Sequence, residues 1–131
     1  MNIGAASTAT GVNAKMIRHY EAIGLLAPPA RQENSYRDYG ELEVHELRFI
    51  KRARKLGFSI AEIGRLLALW RDKKRPSRDV RRIAATHLAD LERRIVEMSA
   101  LAATLRHLVH ACHGDDRPNC PILEDLVAAS N

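Results

Sequence analysis

Apolar residues recur at helical spacing through most of this chain, and glycine, proline and capping residues divide the pattern into segments. Residues 3–11 are small and helix-compatible. Gly11-Val12-Asn13 reads as a tight turn, with Asn13 as N-cap of a helix over Ala14–Ile23. On that helix Met16, Ile17, Tyr20 and Ile23 lie near one face, while Lys15, Arg18 and His19 lie elsewhere. Gly24 is its natural stop. Helix, short glycine turn, short basic helix is the order of a helix-turn-helix. Regularity then breaks across Leu25–Gly40. Pro28-Pro29 forbids a helix there. Arg31, Asn34, Tyr36, Arg37 and Tyr39 fit a short β-hairpin, or wing, with basic and aromatic residues at its tip and edges.

A third helix is predicted from about Leu42 to Leu56, ended by Gly57, with Val44, Leu47, Ile50 and Ala53 at helical spacing. Ser59 caps a fourth, and Glu62 completes a capping box. Its apolar positions are Ile60, Ile63, Leu66, Leu67 and Trp70, and Trp70 is expected in the core. Arg71–Pro76 is charged and reads as a hinge. From Ser77 to Ala111 there is neither proline nor glycine. One heptad stripe collects Ala84, Leu91, Met98, Leu105 and Cys112. A second collects Leu88, Ile95, Ala102 and Val109, and a third Leu101 and Leu108 with His87 and Arg94. A helix of this length spans about 50 Å at 1.5 Å per residue. That is too long to bury its stripe inside a 131-residue monomer. The pattern predicts a homodimer with Leu91, Ile95, Met98, Leu101 and Leu105 along the seam. Polar His87 and Arg94 beside the seam weigh against a long parallel zipper. A loop, His113–Asn119, follows. Cys120 then precedes Pro121, which suits the start of a last short helix over Ile122–Ala129.

Composition adds a size and a map of charge. A hydrophobic fraction of 46% in 131 residues supports a real core and argues against disorder. Residues 1–82 carry 17 basic and 9 acidic groups, a net +8, whereas residues 83–131 carry 4 basic and 7 acidic groups, a net −3. The first part therefore suits a polyanion and the second does not. Residues 1–10 lack the basic and apolar regions of a secretory signal, and no run matches an apolar membrane span, so a soluble, cytoplasmic protein without membrane contact is expected.

Cys112 and Cys120 are too few for a disulfide scaffold. Their positions at the two edges of one loop leave four chemistries open. A disulfide is disfavoured where thiols stay reduced. Two unrelated buried thiols are the default for an arbitrary pair. Zinc would need both His110 and His113 as further donors, in a spacing that matches no usual zinc signature. A soft monovalent ion needs only two thiolates, and two thiolates with one such ion leave a net charge of −1. Asp115 and Asp116 are better explained by loop solubility than by a hard ion. His45 carries no site argument, and His87, His107 and His110 are expected at the surface or seam. No nucleophile–base pair, phosphate-binding glycine loop or Cys-x-x-Cys is present, so the chain is not expected to be an enzyme.

Several fragments, taken in order, resemble the MerR family of transcriptional regulators over the full length. They are Ile17-Arg18-His19-Tyr20-Glu21, Gly24-Leu25, Arg31, Asn34-Ser35-Tyr36-Arg37, Tyr39, and Arg54-Lys55-Leu56-Gly57-Phe58 before Ile60. Within the family, Cys112-His113-Gly114-Asp115-Asp116 and Asn119-Cys120-Pro121-Ile122 resemble the copper-efflux (CueR) type. Ser77 occupies a position that looks like cysteine in relatives that sense divalent ions. The chain departs from the copper type at His113, a candidate extra donor.

The resemblance implies a mainly α protein. A winged helix-turn-helix DNA-binding domain covers residues 1–71, and a hinge covers 72–76. A dimerisation helix over 77–111 pairs as an antiparallel coiled coil, and a metal-binding loop with a short helix covers 112–131. It implies a homodimer on a promoter with an overlong spacer, acting with RNA polymerase by bending and undertwisting DNA. One Cu(I), or Ag(I) or Au(I), would sit at each Cys112/Cys120 loop, with Ser77 and His113 nearby. Lys15, Arg18 and His19 are candidates for the major groove. Tyr20 is balanced between a DNA-backbone contact and core packing. Arg31, Tyr36, Arg37 and Tyr39 fit phosphate contacts from the wing, and Lys51 and Arg54 lie on a helix face. Arg52 and Lys55 read as solvated. The alternatives are the same architecture sensing a divalent ion or thiol oxidation, or a small metal-buffering or redox protein.

Overall fold

A computed structural model describes residues 1–27 and 37–128. Six helices run in order: α1 Ile3–Thr10, α2 Ala14–Ala22, α3 Glu41–Lys55, α4 Ile60–Arg71, α5 Ser77–Ala111 and α6 Pro121–Val127. They fall into two compact units, Met1–Ala84 and Ala85–Asn131.

Local chemistry sets the helix ends in the first unit. The Asn2 side chain accepts from the Ala5 N–H at 2.8 Å and starts α1. Gly11, at φ +74°, stops it in the left-handed conformation and donates its N–H to the Ser7 carbonyl at 2.8 Å. Asn13 Oδ1 accepts from the Met16 N–H at 2.8 Å, so two residues after one helix stops the next is capped. At α4 the predicted capping box is present. Ser59 Oγ accepts from the Glu62 N–H at 3.1 Å, and Glu62 Oε1 accepts from the Ser59 N–H at 2.8 Å.

The core is drawn from the helical stripes. Ile17 of α2, Leu47 and Ile50 of α3, and Ile63 and Leu67 of α4 are fully buried, joined by Leu26 and Tyr39 from the connecting chain. Trp70 corrects the sequence expectation. It is 38% exposed and tilts against Phe49 at a centroid distance of 6.3 Å instead of filling the core. At the end of α4 it falls beyond the buried turn that carries Ile63 and Leu67.

Two buried carboxylates hold the unit together, and periodicity did not reveal either. Glu21 on α2 accepts from the Tyr39 hydroxyl at 2.5 Å and pairs with the Arg37 guanidinium. Glu46 on α3 accepts from Arg71 Nε at 2.8 Å and Nη2 at 2.7 Å, and Nη2 also donates to the Leu25 carbonyl at 3.2 Å. Arg71 thus ties the end of α4 to α3 and to the chain leaving α2. A buried ionised group is tolerated when its lone pairs are used in this way.

The expected wing, including Arg31 and Tyr36, lies outside the described residues except at its returning edge. There Arg37 forms an isolated bridge, and the Tyr39 N–H donates to the Met1 carbonyl at 2.7 Å.

In the second unit, α5 reaches Ala111 as predicted. Among the seam candidates Ile95, Met98, Leu101 and Leu105 are exposed in the single chain and Leu91 is half-buried. Arg94 is exposed and pairs with Asp90 at 3.0 Å. His87, expected at the surface or seam, is buried. Helix α6 starts at Pro121, one residue earlier than expected, and ends at Val127, two residues earlier.

Two outcomes follow. Ser59→Ala removes a cap and should lower unfolding free energy by about 1 kcal/mol, read from urea denaturation. Burial first, then the hydrogen bond and charge of Glu21, push the Tyr39 hydroxyl up to about 12. The unfolded chain ionises this group near pH 10, so its stabilising contribution is complete below pH 10 and is lost as pH rises to 12. Two units correspond to about 2–3 kcal/mol. Tyr39→Phe should flatten that part of the alkaline stability profile while lowering stability at neutral pH.

Candidate functional site

The first candidate surface is cationic and belongs to the helix-turn-helix. Lys15, Arg18 and His19 are exposed on α2, whose opposite face is anchored by buried Ile17, Tyr20 and Glu21. That division leaves three donor side chains free to enter a groove from a rigid helix. Beside them Gly11, Val12, Asn13, Met16, Tyr20, Lys51, Arg54 and Lys55 line a hollow of about 330 Å³. Lys51 Nζ lies against Gly11, in space that any side chain there would claim. Among the described residues Lys51, Arg54 and Lys55 have no acidic partner. Lys55, expected to be solvated, is exposed and lines this hollow.

The expectations for two tyrosines change. Tyr39 is 1% exposed and its hydroxyl is committed to Glu21, so it is a core residue and not a phosphate contact. Tyr20 is 5% exposed, which favours the core-packing alternative, though it still lines the hollow. Arg37 keeps about a third of its side chain exposed while pairing with Glu21. Sequence reasoning missed Glu21 and Glu46 because an acid at an inward helix position looks like any surface acid until its partner is placed.

The second candidate surface is the thiol loop. The end of α5 carries Cys112 and the residue before α6 is Cys120, both half-buried and free. Their Sγ atoms are 3.7 Å apart, so the loop does bring the two thiols together at its neck. The Leu123 N–H, then the Cys112 thiol and the Ile122 N–H, hold the Cys120 thiol below its ordinary range. With metal–sulfur bonds of about 2.3 Å, one ion can touch both of two sulfurs up to roughly 4.6 Å apart. The donor set therefore fits a thiophilic ion. Among the described residues no group of three or more His, Cys, Asp or Glu side chains is assembled for a metal. His113 is exposed and is not drawn into such a group, and Ser77 opens α5, exposed. Among the described residues no helix is long and apolar enough to cross a membrane.

Comparison with known proteins places the chain in a family. The family described as "MerR HTH family regulatory protein" matches residues 1–70, and "MerR, DNA binding" matches residues 44–108. The "Heavy metal-dependent transcription regulator 2" of Rhizobium meliloti (strain 1021) is 55% identical over 99% of this chain and 88% of its own length. The "HTH-type transcriptional regulator CueR" of Escherichia coli O157:H7 is 42% identical over 96% of this chain and 93% of its own. Among solved structures, the regulator PbrR691 of Ralstonia metallidurans CH34, in complex with lead(II), superposes with a TM-score of 0.84. It is 31% identical, over 96% of this chain and 98% of that one. The chain belongs to the MerR family, whose regulators bind promoter DNA as dimers and contact RNA polymerase.

Proposed function

We propose that this chain activates efflux or detoxification genes when Cu(I), or Ag(I) or Au(I), binds Cys112 and Cys120. The observation that carries this reading is the pair of free sulfurs 3.7 Å apart at the junction of α5 and α6. Soft thiolates select soft ions, and a monovalent ion is satisfied by two of them. The relatives named for heavy-metal dependence and as CueR support the same class of signal. When bound, the ion supplies a link between two sulfurs that the chain otherwise holds only in contact.

The remaining roles belong to the chain's own groups. Lys15, Arg18 and His19 read the major groove from α2. Lys51, Arg54 and Lys55 hold phosphate beside the helix-turn-helix turn, and Arg31, Tyr36 and Arg37 do so from the wing. Phosphate contacts fix position without reading sequence. Leu91, Ile95, Met98, Leu101 and Leu105 pack the two copies as an antiparallel coiled coil. The response is read through DNA deformation at an overlong spacer, so signal-free and signal-bound dimers hold DNA with similar affinity. The protein acts in the cytoplasm.

A divalent ion is the second reading, favoured by the lead(II) complex of the PbrR691 structure. Anaerobic titration separates the two. One Cu(I) per loop with weak Zn(II) binding supports the thiolate pair, and tighter Zn(II) binding that depends on His113 overturns it.

Cys112→Ser and Cys120→Ser should each still shift promoter DNA in a gel while Cu(I)-induced transcription falls to the uninduced level. A normal copper response from either variant excludes the two-thiolate site. Lys51→Gln should weaken binding to any duplex equally and lower the slope of log K against log salt by about 0.9. Fluorescence anisotropy over a salt series reads this directly.

A further inference from the structure

The stretch between the two sulfurs, His113–Asn119, is held at both ends by its helices. The Cys112 N–H donates to the Leu108 carbonyl at 3.1 Å, and the Cys120 carbonyl accepts from the Glu124 N–H at 3.1 Å. Within the stretch, the hydrogen bonds converge on one side chain. Asp115 Oδ1 accepts from the Arg117 main-chain N–H at 2.9 Å. Its Oδ2 accepts from Arg117 Nε at 2.9 Å and pairs with Nη2 at 2.8 Å. Among the described residues these are the hydrogen bonds made inside 113–119, and Gly114, at φ +64°, supplies the turn that precedes them.

A free loop of this length lets its ends drift, and a ligand that needs both ends must bear the ordering cost. A clamp across residues 115–117 removes part of that cost in advance. Exposed ion pairs are weak in general. Here Nε and Nη2 converge on Oδ2 while the main-chain N–H of the same residue takes Oδ1, so both carboxylate oxygens are engaged by Arg117. The Arg117 fork, then its main-chain N–H, hold the Asp115 carboxyl below its ordinary range, so the acceptor stays ionised.

We propose that Asp115 is a positioning residue for the thiol pair, latched by Arg117 so that Cys112 and Cys120 stand together before any ligand arrives. The inference deepens the soft-metal reading and rests on it for its role in sensing. Asp115 touches neither sulfur. It acts through loop shape, so its effect must appear without metal as well as with it.

The test uses the full chain and two readouts. In a glutathione redox buffer, two protein thiols and one glutathione disulfide exchange to give the Cys112–Cys120 disulfide and two glutathione thiols. The equilibrium constant reports how often the sulfurs meet. Ag(I) affinity, by competition with a chromophoric chelator, reports the same proximity through a ligand. Asp115→Ala should lower both by about three- to fivefold, the upper end of what an exposed ion pair contributes. Asp115→Asn, which keeps an acceptor for the main-chain N–H, should fall between it and wild type. Arg117→Gln should match Asp115→Asn, and a circular-dichroism melt verifies that each variant folds. A change below threefold in both readouts, with Cys112→Ser abolishing Ag(I) binding, overturns the latch and leaves the metal site standing. Failure of the wild-type chain to bind Ag(I), with the exchange constant still falling in Asp115→Ala, overturns the metal reading and leaves the latch.

Discussion

Helix α5 sets the terms for the whole molecule, because among the described residues its apolar stripe is left largely exposed. Leu88, Ile95, Met98, Leu101, Leu105 and Val109 are each more than half exposed in the single chain. Burying one such side chain fully is worth about 1.5–3 kcal/mol from full exposure, so the exposed parts of these six represent roughly 5–10 kcal/mol of gross stabilisation per chain. Association must offset lost rotational and translational freedom of comparable size. An exposed stripe of this size favours association, in keeping with the dimers that MerR regulators form on promoter DNA. Two-fold pairing in turn dictates a target with two half-sites.

Most of the fold was legible in the sequence because helices announce themselves twice, by period and by caps. Asn13, Ser59 with Glu62, and the glycine stops placed helix ends within a residue or two. The thiol pair was legible as well, since one loop that leaves a helix at Cys112 and enters another at Cys120-Pro121 can bring its edges together. What the pattern could not show was the polar core. Glu21 sits at an inward position of α2 beside basic residues, and only the return of Arg37 and Tyr39 to α2 turns it into a buried acceptor. Glu46 is the same case, resolved by Arg71 from a different helix. Tyr39 and Trp70 were misplaced for a related reason. An aromatic residue near basic neighbours suits a nucleic-acid surface and a core equally well, and the choice between them rests on contacts distant in sequence.

These buried pairs also fix how so small a unit holds α2 and α4 in register. Glu21 fixes the inner face of α2 while Lys15, Arg18 and His19 remain on the outer one. Arg71 closes the unit where the chain departs toward α5. The hydrophobic core supplies cohesion, and the two carboxylates supply register. A side chain that enters a groove can be selective only if its helix does not roll.

Gly11 carries a final consequence. Its backbone turns the chain between α1 and α2, and the ammonium of Lys51 occupies the place where a side chain would stand. Any residue with a side chain here would strain the left-handed turn and make the flexible Lys51 side chain swing aside. Backbone angle and the placement of one surface cation are therefore linked at this position.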